Sequence, residues 1–166
     1  MNERHLIEFL LTGTNDDLQF EVRKAELDRL TRVLEEAEAT PDGFFSFSAV
    51  DGRSIAVNLA CVQGVQMTSN LAISSSDLVR SEAPILVCLR NREPLEVSGS
   101  SPLAVLDLFT DLELGPVGIP YPKFDDLEDR PWTFTAREVV WASAPTHALH
   151  TGARLAGIEA GLEEDE

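Results

Sequence analysis

Basic residues are scarce. The 166-residue chain has 13 Lys and Arg against 29 Asp and Glu, a formal net charge of −16. Binding to nucleic-acid phosphates needs clustered cations that release counterions, and the longest basic run here is Arg23-Lys24. Nucleic acid is therefore not an expected partner, whereas a basic protein would be steered toward this surface. Lysine is the rarer cation, at two residues against eleven arginines, a bias of the kind GC-rich bacterial genomes produce.

Long apolar runs are also missing. None approaches the ~18 residues of a membrane-spanning helix. Met1 to Glu8 lacks a basic segment followed by an apolar one, so no secretory signal is expected. A cytoplasmic protein without a membrane partner is the reading that follows. The two cysteines, Cys61 and Cys88, make no disulfide framework. Each lies in an apolar stretch and is expected to be a small buried hydrophobe in a reducing compartment.

Histidine, the commonest general base, occurs three times, at His5, His147 and His150. The i, i+3 spacing of His147 and His150 would turn both toward one metal on a helix. No Cys-rich or carboxylate pattern accompanies them, so they are read as surface histidines, with no metal and no cofactor expected. The chain has no phosphate-binding glycine loop, dinucleotide fingerprint, zinc-protease helix or nucleophile elbow. The acidic stretch Asp125-Asp126-Leu127-Glu128-Asp129 lacks the order and the glycine of a calcium loop and reads as a solvated turn.

What is present is an ordinary globular composition, 43% hydrophobic and 25% charged, arranged in two similar halves. Leu6-Ile7-Glu8-Phe9-Leu10-Leu11 is followed by a polar turn. Leu18, Phe20 and Val22 then alternate with Gln19, Glu21 and Arg23, the period-two pattern of a strand. Leu27, Leu30, Leu34 and Ala37 form a helical stripe within residues 24–38, with Asp28 placed to pair with Arg32. Two further strands, 44–50 and 53–59, flank Asp51-Gly52, a type I′ hairpin signal. The second half repeats the order. It has a strand at 84–89, a turn, and a short strand at Leu95-Glu96-Val97. A helix follows, opened by Ser101-Pro102, lined by Val105, Leu106, Phe109 and Leu112 and closed by Gly115-Pro116. Further β pattern comes at 132–135 and 139–141.

Placing Phe47 over Phe124, 77 positions on, aligns Arg53 with Arg130, Ile55 with Trp132, Val57 with Phe134 and Val62 with Val139. The opening strands align with Phe9 over Ile85. The predicted architecture is α+β: a tandem ββαββ repeat with mainly antiparallel sheet, helices on one face, and a pseudo-twofold arrangement that lets each unit cover the other. The units are 1–66 and 84–144, with a Ser-rich connector at 67–83. Residues 145–166 form a weakly helical acidic tail, in which Gly152, Gly157 and Gly161 each cost ~1 kcal/mol of helix stability. Edge strands remain, to be capped by the tail or used in dimer formation.

The stiff segment Gly115 to Lys123 has no counterpart of equal length in the first half. Val117, Ile119, Tyr121 and Lys123 are its candidate binding residues. Trp132 and Trp141 are expected on the core faces of strands. Without a catalytic constellation, the leading expectation is a non-enzymatic, self-associating protein-binding or assembly module. The alternatives are an acidic inhibitor that mimics nucleic acid on a basic protein, and a small enzyme working through paired carboxylates with perturbed pKa values.

Overall fold

The alternation in the first half builds the strands it predicts. In the computed structural model, which describes residues 4–14, 17–36, 43–70, 84–99 and 101–159, β1 (Arg4–Leu11) and β2 (Leu18–Val22) pair antiparallel, with Ile7 opposite Phe20 and Phe9 opposite Leu18. Ile7, Phe9, Leu11, Phe20 and Val22 are buried on one face. Helix α1 (Lys24–Glu36) lays Leu30 into that face, with Leu27, Val33 and Leu34 partly buried beside it. Its ion pairs among the described residues are Lys24–Asp28, at 3.0 Å, and Glu26–Arg29, at 2.6 Å; Asp28 pairs with Lys24 in place of the expected Arg32. Helical side chains tilt toward the N-terminus, which brings the short Asp28 carboxylate to the cation one turn earlier. Ala37 lies outside the described residues.

β3 (Phe44–Ser48) and β4 (Arg53–Asn58) form the next hairpin. Its turn differs from the expected type I′. Of Asp51 and Gly52, only Gly52 has positive φ, at 88°. The Ala49 N–H donates to the Arg53 carbonyl at 2.8 Å and the Gly52 N–H to the Ala49 carbonyl at 3.3 Å. This is a three-residue loop closed by a left-handed glycine. A 3-10 turn at Leu59–Cys61 leads into β5 (Val62–Asn70), which pairs with β1. The strand therefore runs beyond the expected boundary at residue 66, and residues 71–83 of the connector lie outside the described set.

The second half comprises β6 (Ile85–Leu89), β7 (Leu95–Val97), α2 (Pro102–Gly118), β8 (Lys123–Asp125), β9 (Pro131–Thr133), a 3-10 turn at Ala136–Glu138, β10 (Val139–Pro145) and α3 (Thr146–Glu159). The Ser101 hydroxyl caps α2 by accepting from the Ala104 N–H at 3.3 Å, with Pro102 opening the helix as predicted. Gly115 breaks α2 with φ 77°, and one further turn carries it to Gly118 instead of ending at Gly115-Pro116.

The class is α+β, with three helices on antiparallel sheets among the described residues. The helices do not share one face as expected, because alternate residues of β4 and β10 turn to α1 on one side and to α2 on the other. Strand orders are β2-β1-β5, β3-β4-β10-β6-β7 and β8-β9. Two cores result, and the central strands serve both. Ile55, Val57 and Trp141 join the core under α1, while Ala56, Ala142 and Ala144 join the core under α2. Trp141 is buried, as expected. The described part of the tail, α3, docks more firmly than Gly152 suggested, and Gly161 lies outside the described residues. α3 packs on α2, and a Cβ on Gly152 would collide with the Pro102 carbonyl. The missing side chain is what permits the close approach.

The two halves share several details of pairing. β1 lies between β2 and β5, and β6 lies between β7 and β10. One ladder passes from Leu11↔Val62 to Leu10↔Gly64 through a register shift, the other from Leu89↔Val139 to Cys88↔Trp141 through the same shift. These positions set Phe9 against Val87, two residues from the alignment with Ile85. The Thr12 N–H donates to the Cys61 carbonyl at 2.8 Å, and the Arg90 N–H to the Glu138 carbonyl at 2.9 Å. Isolated bridges join Val22 to Ala49 and Val97 to Asp126. One contact is one-sided. β4 pairs with β10, whereas β9 pairs only with β8 among the described residues.

Candidate functional site

Of the four expected binding residues, Val117 is 80% and Tyr121 61% exposed. Val117 sits in the last turn of α2, and Lys123 is exposed at the start of β8. Ile119 is half-buried, and its N–H donates to the Gly115 carbonyl at 2.9 Å. The segment is stitched to the second half. The Pro120 carbonyl accepts from the Ala136 N–H at 3.0 Å and the Pro122 carbonyl from the Phe134 N–H at 2.8 Å. His147 and His150 lie at the start of α3. Among the described residues, no group of three or more His, Cys, Asp or Glu gathers as a metal site.

A more developed surface lies beside β9. Trp132, expected in the core, is 47% exposed because β9 has no strand on its outer side among the described residues. The side chain is nonetheless fixed. Its indole N–H donates to Asp126 Oδ2 at 2.9 Å, and its ring lies 6.2 Å from that of Phe134, which stacks on Phe124 at 4.0 Å. Asp126 also accepts from the Glu128 N–H at 2.9 Å, the Arg130 N–H at 3.0 Å and Arg130 Nε at 2.9 Å. The Trp132 hydrogen bond, followed by those from the backbone and Arg130, holds its carboxyl down at about 2. The acidic stretch read as a solvated turn thus has a buried anchor, Asp126, that orients an exposed tryptophan.

An open cleft of about 990 Å³ extends from this ledge to the β6–β7 turn, lined by Leu89, Arg90, Arg92, Trp132, Phe134 and Glu138. Arg90 Nε lies 3.7 Å from Glu138. Across the same turn a second cleft of about 420 Å³ is lined by residues that include Gly13, Cys88 and Trp141. The chain therefore gathers two of its few cations at an aromatic ledge. Periodicity did not reveal this grouping, because a turn, a hairpin and a 3-10 turn contribute to it.

Cys61 and Cys88 are free and buried, as expected, and burial pushes both thiols up. On α2, burial and then the neighbouring Asp107 charge push the Asp111 carboxyl up. At the contact between β4 and β10, the buried Asn58 accepts from the Ala60 N–H at 3.0 Å and donates from Nδ2 to the Val139 carbonyl at 2.9 Å. It locks the two halves together across the sheet. No family model, curated protein or solved structure matches this chain.

Proposed function

We propose that the protein is an acidic, non-enzymatic assembly module of the cytoplasm, made of two ββαββ units in tandem, that binds protein partners and self-associates through strand edges. The matched ladders, register shifts and turn hydrogen bonds of the two halves support the duplication. A closed twofold arrangement would set β9 beside β5 as β4 is set beside β10, and among the described residues the sheet order is open on that side. The observation that carries the reading is the β4–β10 contact: the two halves are joined by main-chain pairing between strands, an interaction that any further copy can repeat.

Light scattering coupled to sizing chromatography, over a wide range of protein concentration, tests this reading, with a pull-down from a native bacterial lysate as its second arm. The mass is expected to rise above that of one chain as concentration rises. A chain that stays monomeric throughout and captures no protein would defeat the proposal. Capture of a basic partner that is released at moderate salt would instead favour the mimic of nucleic acid, since screening removes charge complementarity and leaves an apolar or main-chain contact nearly intact.

A further inference from the structure

The assembly reading leaves open which surfaces meet. Building on it, we propose that β5 of one copy adds to β9 of a second copy, head to tail, repeating between chains the contact that β4 and β10 make within one.

The register follows from the internal junction. There Trp141 faces Val57, Ala142 faces Ala56 and Ala144 faces Ser54. The corresponding residues set Gly64 against Phe134, Val65 against Thr133 and Met67 against Pro131. The backbone on both edges points the right way for this ladder. The Glu21 carbonyl accepts from the Val50 N–H, so it faces away from β1. Alternation through the β2-β1-β5 register then turns Gln66 and Thr68 toward β1 and leaves Val65 and Met67 facing outward. On the other edge, the Asp126 N–H bonds the Arg130 carbonyl and the Phe134 N–H bonds the Pro122 carbonyl. Trp132 therefore bonds β8, while Pro131 and Thr133 face outward.

The cleft supplies an independent argument. In the first half, Ile55, Val57 and Cys61 are fully buried in one core with Cys88 and Trp141. In the second half the matching positions, Trp132, Phe134 and Glu138, line the open cleft of about 990 Å³. The residues that correspond to Cys88 and Trp141 are Leu10 and Gly64, which face each other on β1 and β5. Leu10 is 42% exposed, one of few large apolar side chains that are among the described residues. Docking β5 on β9 would carry Leu10 into the cleft beside Trp132 and Phe134. It would cover an exposed leucine and an exposed tryptophan in one step.

The contact joins unlike surfaces, so each copy keeps one used and one free edge until a ring closes or a linear chain ends. Two features moderate it. Pro131 has no N–H to give, which removes one rung relative to the internal junction. The charge of −16 on every copy repels, so association should strengthen as salt rises toward physiological ionic strength.

Sedimentation velocity on two variants tests the proposal. Val65→Pro and Thr133→Pro each remove one outward N–H from an edge strand, where proline is tolerated. Circular dichroism checks that each remains folded. Each variant alone is expected to be monomeric where the wild type associates. An equal mixture should recover a two-chain species and nothing larger, because the intact β9 of one variant meets the intact β5 of the other. Leu10→Ser should weaken wild-type association about tenfold or more, as loss of a buried leucine requires.

Should either proline variant fail to fold, the double variant Val65→Cys, Thr133→Cys replaces it. Mild oxidation should then give covalent multimers on a non-reducing gel, abolished by omitting either substitution. Wild-type-like association by a folded proline variant, or a cysteine pair that never cross-links chains in an associating protein, would overturn this contact and leave the assembly reading standing. A wild type that remains monomeric in moderate salt at every concentration would remove this contact, and one that also captures no protein would remove the assembly reading with it.

Discussion

Replacing Gly152 by Ala separates two opposed effects on α3. Helix propensity favours alanine by about 1 kcal/mol over glycine in a helix interior. Packing opposes it. A Cβ at this position would lie 3.1 Å from the Pro102 carbonyl carbon and 3.0 Å from Leu106 Cβ, and closer still to the Pro102 carbonyl oxygen. The oxygen and carbon belong to the backbone at the start of α2, beside the Ser101 cap and Pro102, and cannot rotate away as a side-chain end can. Relief requires α3 to retreat by several tenths of an ångström or more along its contact with α2. Overpacking of this kind costs about 1–3 kcal/mol. The steric effect therefore wins, and Gly152→Ala should lower unfolding free energy by about 1 kcal/mol, measured by urea denaturation followed by far-UV circular dichroism. Ala153→Gly, at an exposed neighbouring position, calibrates propensity alone and should cost about 1 kcal/mol. A Gly152→Ala protein more stable than wild type would refute the close approach of α3 to α2.

Asn58→Ala should destabilise by about 1–3 kcal/mol, because it leaves the buried Val139 carbonyl without its donor and uncaps the 3-10 turn at Ala60. Thermal unfolding monitored by far-UV circular dichroism measures it, and an unchanged midpoint would contradict the locking role. Asp126 titrates in the folded state at about 2, below the roughly 3.9 of an unfolded aspartate. A depressed carboxylate contributes stability that is complete above the unfolded value and is lost as pH falls from about 4 to about 2. Acid titration of the denaturation midpoint should show that loss in the wild type and a shallower one in Asp126→Asn. Identical slopes would show that the ledge hydrogen bonds do not stabilise the charged carboxylate.

The sequence was readable where a segment has one buried and one exposed face. Leu18, Phe20 and Val22, the Leu27–Leu30–Leu34 stripe and the Ser101-Pro102 helix start all announce their elements, because local periodicity and capping agree with the tertiary contacts. β5 was not readable as a strand. Its residues Gln63, Gln66, Thr68 and Ser69 are exposed, and their polarity hides a strand whose partner, β1, lies far back in the chain. β10 was read only as far as Trp141, because Ala142, Ser143, Ala144 and Pro145 have weak strand preference. They are small because helices and a second sheet strand crowd them, and all are buried. Trp132 misled for the opposite reason. Aromatic content suggests core, but burial depends on whether a neighbouring strand exists, and that is a property of the assembled sheets. The cleft could not be found from spacing at all, since Arg90 and Trp132 meet only through non-local pairing. Gly152 shows the same limit. In isolation it weakens a helix, and in place it lets two helices touch.

The two junction strands differ in a way that bears on how tightly copies would hold one another. β4 presents Ser54, Ala56 and Asn58 toward β10, and Asn58 adds a side-chain bond across the contact. β9 presents Pro131, Thr133 and, just beyond it, Thr135 at the matching positions. Proline on an outward edge is a common means of blunting a strand, and a threonine hydroxyl is shorter than the asparagine amide it replaces. On the proposed head-to-tail contact, the internal junction is permanent and the external one reversible, and Pro131 sets much of the difference. Pro131→Ser restores the residue type found at position 54 and returns one N–H to the ladder. One net hydrogen bond is worth about 0.5–1.5 kcal/mol, so the dissociation constant between chains should fall by roughly two- to tenfold. Sedimentation at matched salt and concentration would register this as a shift toward larger species. Unchanged or weaker association in a folded Pro131→Ser protein would mean that the outer edge of β9 is not where the copies meet.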